Sequence, residues 1–280
     1  MQYQTYRLKE YFPALCGNYE PTLTAYCPDN SAEIHPGRVR ASVLICPGGA
    51  YAFTSDREAE PVALQFVARG FNAFVLRYSV APERYPEALR EAAAAMAFIR
   101  GRAEDFSVNP EQIAILGFSA GGHLAASLGV FWNDPELAQA LGKTAEDIRP
   151  NGLILGYPVI RSGEFAHRGS IDNLLGPDAD AALRAKMSLE TQVTEQTPPT
   201  FLWHTYADGS VPVENSLGFA AALRRHNVPF EMHIYPTGSH GLSLCSYETA
   251  AHAEQLLPHD AGWMPLCCEW MALTFGIPHT

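Results

Sequence analysis

Apolar positions along this chain fall into two rhythms that take turns. Short aliphatic and β-branched runs occupy residues 22–26, 41–46, 71–78, 113–116, 151–157, 200–205 and 229–235. Apolar runs of this kind, bounded by Gly, Pro, Asn or Asp, predict buried strands. Between them, residues 60–68, 86–102 and 212–225 and the Ala- and Leu-rich stretch from Gly122 predict helices. In the second of these, Ala88, Ala92, Ala95 and Ile99 repeat at helical spacing. One more helix is expected over residues 179–187. A last one is expected within residues 250–275, broken or kinked near Pro258 and Pro265. Residues 1–20, aromatic-rich but without a period, are read as irregular. Strands that alternate with helices predict an α/β fold with a mostly parallel sheet covered on both faces.

The chain has 280 residues, 47% hydrophobic and 18% charged, enough for one large core. No repeat, low-complexity tract or linker divides it, so residues 1–280 are read as a single domain. Residues 159–199 are too long for a plain connection. They are read as a cap insertion over the C-terminal edge of the sheet, where ligands bind in such folds. A surface insertion away from any site is the alternative.

No apolar run is long enough to span a membrane. The first ten residues are too polar for a signal peptide, which makes cytoplasmic residence the expectation. A formal net charge of −11 without a basic cluster argues against nucleic acid and anionic membranes as partners. The six cysteines form no C-x-x-C pair and no H-E-x-x-H occurs, so neither a metal nor a cofactor is expected. Free, buried thiols are the reading for the cysteines.

Chemistry enters at Gly117-Phe118-Ser119-Ala120-Gly121, a G-x-S-x-G sequence between a predicted strand and a predicted helix. Such a turn strains the serine backbone and exposes its hydroxyl, and the flanking glycines avoid collisions that a Cβ would make. A serine needs a base to become a nucleophile, and a carboxylate to orient that base. Of the downstream acids Asp134, Asp147, Asp172, Asp178, Asp180, Asp208, Glu214 and Asp260, only Asp208 sits just beyond a predicted strand. A helix-capping or turn aspartate is its plainer reading. Of the downstream histidines weighed as base, His226, His233, His240, His252, His259 and His279, only His240 lies in a glycine-flanked loop just after the last strand. His233 falls inside a strand, His226 at a helix end, and His123 in the nucleophile's own helix, in a packing or hydrogen-bonding role.

An acyl-transfer oxyanion needs donors already aimed at it. The amide of Ala120 is one candidate. Gly49 and Ala50, in the loop Pro47-Gly48-Gly49-Ala50-Tyr51 after the 41–46 strand, supply the others. A tight turn with no ligand is the alternative reading of that loop.

Together these residues resemble the α/β-hydrolase superfamily and, more narrowly, small bacterial esterases similar to hormone-sensitive-lipase-like enzymes and acetylxylan esterases. The matching pieces are Cys46-Pro-Gly-Gly-Ala-Tyr51, Ser55-Asp-Arg-Glu-Ala-Glu-Pro-Val62, Gly117-Phe-Ser-Ala-Gly-Gly-His123, His204-Thr-Tyr-Ala-Asp-Gly-Ser-Val-Pro212 and Tyr235-Pro-Thr-Gly-Ser-His-Gly241. The resemblance implies Ser119 as nucleophile, Asp208 as acid, His240 as base, and oxyanion amides at the Pro47 loop and Ala120. One departure stands out: many relatives carry His-Gly-Gly-Gly where this chain has Pro47-Gly48-Gly49-Ala50.

The expected function is a serine carboxylesterase that releases short acyl groups, above all acetate from a sugar or xylo-oligosaccharide, through an acyl-enzyme. A small-molecule ester, including an acetylated oligosaccharide, is the expected partner. Tyr51 and Glu58 are the candidate substrate contacts. Asp56 and Glu58 otherwise read as loop braces or surface charge. Tyr51, Trp132, Trp203 and Trp263 are large enough to stack on a sugar, with core packing as the alternative. The rival readings are an amidase or peptidase of the same fold, such as an arylformamidase or a prolyl-oligopeptidase-like enzyme, and a non-catalytic ligand-binding protein.

Overall fold

The computed structural model describes residues 1–277. Among them, eight strands form one sheet in the order β1-β2-β4-β3-β5-β6-β7-β8. Their ranges are β1 (Gln2–Arg7), β2 (Thr22–Cys27), β3 (Arg40–Cys46), β4 (Asn72–Arg77), β5 (Val108–Phe118), β6 (Gly152–Gly156), β7 (Thr200–Thr205) and β8 (Phe230–Tyr235). Pairings β1–β2 and β2–β4 are antiparallel. The remaining five are parallel, so β3 through β8 end at one rim.

The inner strands β3 to β7 read as largely apolar runs because both faces are covered. Along β3, Leu44 and Cys46 enter one core and Val43 and Ile45 the other, the period of two that a pleated strand dictates. The first core takes α2 (Glu87–Gly101), the short α3 (Ala103–Phe106), and Leu124 to Val130 of α4 (Ser119–Phe131). Two short helices, α5 (Pro135–Gln139) and α6 (Ala145–Ile148), follow before β6. The second core takes α1 (Glu60–Val67) and the last helix, α10 (Trp263–Phe275). Helix α9 (Glu214–Arg225) returns to the first face through Phe219 and Leu223. No helix among the described residues is long and apolar enough to cross a membrane.

Four local expectations need correction. Residues 2–7 are a strand, not irregular: β1 pairs along the sheet edge, and only Tyr6 of its six residues is buried, so no apolar rhythm marks it. The helix after the G-x-S-x-G turn begins at Ser119 rather than Gly122. Residues 159–199 hold two helices, α7 (Arg168–Leu175) and α8 (Ala181–Lys186), where one was expected. The C-terminal helix runs unbroken from Trp263 to Phe275. Pro265 sits in its first turn, where an amide has no partner within the helix in any case, and Pro258 precedes it.

One buried acid makes the fold sensitive to pH. Glu91 of α2 is 1% exposed and accepts hydrogen bonds from the Ser79 amide (2.6 Å) and hydroxyl. Burial pushes its carboxyl up to about 7, against the pull of those bonds. The unfolded chain releases the same proton near pH 4.3. Stability present below that value is therefore lost as pH rises through about 7, by on the order of 3 kcal/mol. Urea unfolding between about pH 5 and 8 checks this. Glu91→Gln, which mimics the protonated acid, is expected to gain on the wild type across that window. Parallel stability curves would contradict it.

Candidate active site

The turn from β5 into α4 carries the nucleophile candidate. Ser119 is 7% exposed and adopts φ 53°, a left-handed backbone that strains any residue with a Cβ. The turn closes this sharply because two glycines allow it. A Cβ on Gly117 would lie 2.0 Å from the Gly121 carbonyl oxygen, and one on Gly121 2.1 Å from that of Cys46.

Three side chains from distant loops meet here. The Ser119 hydroxyl lies 2.7 Å from His240 Nε2, and His240 Nδ1 lies 2.6 Å from Asp208 Oδ2. An ionised carboxylate only accepts, so Nδ1 carries the proton and Nε2 is left to accept from Ser119. Asp208 follows β7. Its other oxygen accepts from the amides of Ser210 and Val211, each at 2.9 Å. Burial pushes the Asp208 carboxyl up, yet hydrogen bonds from His204 and His240, together with the charge His240 can carry, hold it well below the usual carboxylate range. His240 sits in the loop after β8, between Gly238 at φ 116° and Gly241 at φ 78°.

Facing them is the loop after β3. Gly49, Ala50 and Tyr51 take positive φ in succession. The amides of Gly49 and Ala50 meet no protein acceptor among the described residues. Ala120 is the second residue of α4, where the amide has no acceptor within the helix. A cavity of ≈ 270 Å³ lies between these groups, lined by Gly49, Ala50, Phe53, Ser119, His167 and His240. A larger hollow of ≈ 740 Å³, around Arg38 and Arg102, opens at the starting ends of β3 and β5, on the rim opposite Ser119. It is the smaller cavity that holds Ser119 and His240.

The family model for BD-FAE matches residues 26–223. This chain belongs to the BD-FAE family. As a BD-FAE chain it is similar to endo-1,4-beta-xylanase B of Butyrivibrio fibrisolvens, 38% identical over 82% of this chain and 37% of that protein. It is also similar to acetylxylan esterase of Xylanibacter ruminicola, 27% identical over 94% of this chain and 52% of that one. The chain thus spans between a third and about half of the length of these curated relatives. Among solved structures it resembles an acetyl ester-xyloside bifunctional hydrolase from Caldicellulosiruptor lactoaceticus. There the TM-score is 0.83 at 36% identity, over 99% of this chain and 97% of that one. The architecture is that of the α/β hydrolases.

In this BD-FAE member, other groups brace the loop where Pro47 stands in place of the usual histidine. The Gly48 amide donates to Glu58 Oε2 at 2.8 Å, the Tyr78 hydroxyl to the Pro47 carbonyl at 2.6 Å, and Asn173 Nδ2 to the Ala50 carbonyl at 2.9 Å. Glu58 Oε1 accepts from the Tyr157 hydroxyl at 2.6 Å. Burial raises the Glu58 carboxyl above its ordinary value, against those two hydrogen bonds and the charges of His240 and Arg57. Next to it, Arg57 reaches the segment after His240, donating to the carbonyls of Gly241 (2.8 Å) and Thr249 (2.6 Å).

The remaining expectations divide. Glu58 lines the cavity, but both of its oxygens are committed to the protein. Tyr51 is 2% exposed and its hydroxyl donates to His123 Nδ1 at 3.1 Å, which leaves no face for a sugar. Trp203 and Trp263 stack on each other in the second core, and Trp132 is buried in the first. Asp56 is exposed and pairs with Arg77. His123 bridges Tyr51 and the Met187 carbonyl, and burial pulls its imidazole down to about 4. His233 pairs with Glu231, His226 caps α9, and His259 packs on Tyr235. His279 lies outside the described residues.

Two histidines that the sequence reasoning did not single out stand beside Ser119, His240 and Asp208. His204, fully buried in β7, donates from Nε2 to the Val211 carbonyl at 2.9 Å, with Asp208 Oδ2 3.4 Å from the same nitrogen. A polar residue inside an apolar strand, four positions before Asp208, was its signal. His167 lines the cavity from the 159–199 segment, where no rhythm pointed to it.

Proposed function

We propose that this chain is a serine esterase that removes acetyl groups from carbohydrates, xylo-oligosaccharides above all, through an acyl-enzyme. The observation that carries the reading is the unbroken hydrogen-bond chain from Ser119 through His240 to Asp208, beside a cavity bordered by unengaged amides. Ser119 Oγ attacks the ester carbonyl while its proton passes to His240 Nε2. The carbonyl oxygen, now negative, lies against the amides of Gly49, Ala50 and Ala120. The carbon–oxygen bond to the alcohol breaks, and His240 returns the proton to that departing oxygen. Water then attacks the acetyl carbon and gives one proton to His240; the bond from that carbon to Ser119 Oγ breaks, Oγ takes the proton back, and acetic acid departs and ionises to acetate. Asp208 keeps the imidazole oriented throughout.

A cavity of ≈ 270 Å³ favours a short acyl chain. The relatives' names, acetylxylan esterase and acetyl ester-xyloside bifunctional hydrolase, favour an acetylated xylan-derived alcohol. Residues 159–199 serve as the cap: His167 on one cavity wall and Asn173 on the Ala50 carbonyl support that reading.

The test is a panel of acetylated xylo-oligosaccharides and aryl esters of graded chain length, with formyl-kynurenine and aminoacyl anilides alongside. Acetate release from the oligosaccharides, with rates that fall as the acyl chain lengthens, is expected. Faster turnover of the amides would displace the reading. A histidine base also predicts acylation that slows toward acid. A rate flat between about pH 5 and 8 would remove His240 from that role.

A further inference from the structure

Besides Ser119 and His240, the cavity is lined by His167, which has a ring N–H to offer and no task in the reaction just described. His167 precedes α7 and caps it: its Nδ1 lies 3.3 Å from the Ser170 amide and 2.8 Å from the Ser170 hydroxyl. A backbone amide only donates, so Nδ1 accepts and the ring proton must sit on Nε2. That Nε2–H has no partner among the described residues, and His167 lines the same cavity as Ser119 and His240. The tautomer is set by the helix cap rather than by a ligand, so the donor is in place before anything binds.

The position is held from several sides. Asn173 of α7 donates to the Ala50 carbonyl of the loop facing Ser119, at 2.9 Å. The Tyr85 amide donates to the Leu174 carbonyl at 2.8 Å. Upstream, Asn215 of α9 donates to the Phe165 carbonyl and accepts from the amides of Ile160 and Arg161, each at 2.9 Å. The start of α7 is therefore fastened to the sheet's reactive rim on both sides of His167. The imidazole is also kept neutral. Partial burial and then the neighbouring His240 lower its affinity for a second proton, against the opposing pull of Asp208. A neutral N–H offers direction without a charge that would compete with the base.

The chemistry fixes which part of a substrate it meets. In the proposed reaction the acyl oxygen lies at the amides of Gly49, Ala50 and Ala120, and the departing oxygen must lie within reach of His240 Nε2. Phe165, two residues before His167, is tied to Asn215 of α9, the helix that follows the Asp208 loop, and His167 lines the cavity together with Ser210 of that loop and His240, which puts it on the alcohol side. We propose that His167 is the alcohol-side specificity residue, its Nε2–H donating to a free hydroxyl next to the esterified oxygen of a polyhydroxylated alcohol such as a sugar. This rests on the esterase reading and sharpens it. Acetylated carbohydrates with a neighbouring free hydroxyl are the preferred class, and esters of alcohols without one lose this contact.

The experiment is a cycle across protein and substrate. His167→Asn keeps a side-chain oxygen that can cap α7 but is too short to reach into the cavity, so the helix is retained. The values of kcat/KM are measured for wild type and variant on three acetates: a monoacetylated xyloside, its analogue without the adjacent hydroxyl, and an aryl acetate. The ratio of xyloside to deoxy-xyloside is expected to be on the order of 10 in the wild type and to fall toward one in the variant. The ratio of xyloside to aryl acetate should drop by a similar factor. Equal losses on all three substrates would overturn the proposal by reducing His167 to a structural role, as would no loss on any. A wild type that hydrolyses the aryl acetate yet ignores the missing hydroxyl overturns the subsite alone. A folded wild type that hydrolyses none of the three overturns the esterase reading and the subsite with it.

Discussion

Ser119→Ala is expected to abolish turnover of an activated aryl acetate, with kcat lower by on the order of 10⁵-fold. The hydroxyl at 2.7 Å from His240 Nε2 is the group in line to attack, and alanine removes that one oxygen alone. Fold and cavity should survive, because alanine fits the φ 53° turn as well as serine does and the crowded positions at Gly117 and Gly121 are untouched. The residual rate should come from the amides of the Pro47–Tyr51 loop and from substrate positioning. A sulfonyl fluoride provides the chemical counterpart: intact-mass measurement should find one adduct on the wild type and none on the variant. A labelled Ser119→Ala protein, or one that still turns over near the wild-type rate, would show that another nucleophile does the work.

Asp208→Asn should lower kcat by about 10⁴-fold at neutral pH with little change in folding. The reason is in the two oxygens. Oδ1 accepts from the amides of Ser210 and Val211, and an asparagine must keep its carbonyl oxygen on that side to satisfy them. Its NH₂ then faces His240 Nδ1. That nitrogen must now accept, which moves the ring proton to Nε2, where it faces Ser119 instead of receiving from it. The variant therefore loses the base while keeping both amide contacts on Oδ1. His204, at 3.4 Å from Oδ2, adds to the preference for a carboxylate at this position. A variant with wild-type kcat would mean that the orientation of His240 does not depend on Asp208. One that unfolds would mean that Asp208 serves stability first. Thermal melts beside the kinetics separate these outcomes.

How far the sequence could be read followed from what burial imposes. Strands β3 through β7, covered on both faces, announce themselves as apolar runs, and their order with helices between them implied the parallel sheet. The spacing Ser119, Asp208, His240 could be read because each residue lies just past a strand end, which puts all three on one rim. Elements that bury little left no such trace. Strand β1 hides only Tyr6, and α7 opens on Arg168-Gly-Ser-Ile-Asp, a poor helix former that its His167 cap and Ile171, Leu174 and Leu175 stabilise. Pro265 was read as a break because the register of the last helix decides whether a proline falls in its first turn or its middle, and sequence alone does not set that register. Tyr51 looked like a substrate contact by its place in the loop. Three successive left-handed residues turn it inward instead, a matter of backbone conformation rather than residue type. The brace that replaces the missing histidine was half visible: Glu58 stood out, but Tyr78, Tyr157 and Asn173 reach it or the loop from parts of the chain with no sequence link to it.

The short turn Asp56–Glu58 has a wider consequence. Arg57 grips the strip that carries His240 and Glu58 grips the strip that faces Ser119, so two neighbouring residues clasp segments almost two hundred positions apart. Neither strip can drift without tugging the other. The site should accordingly come apart as one cooperative piece, with no stage in which His240 is still aligned but the amides of Gly49 and Ala50 have wandered.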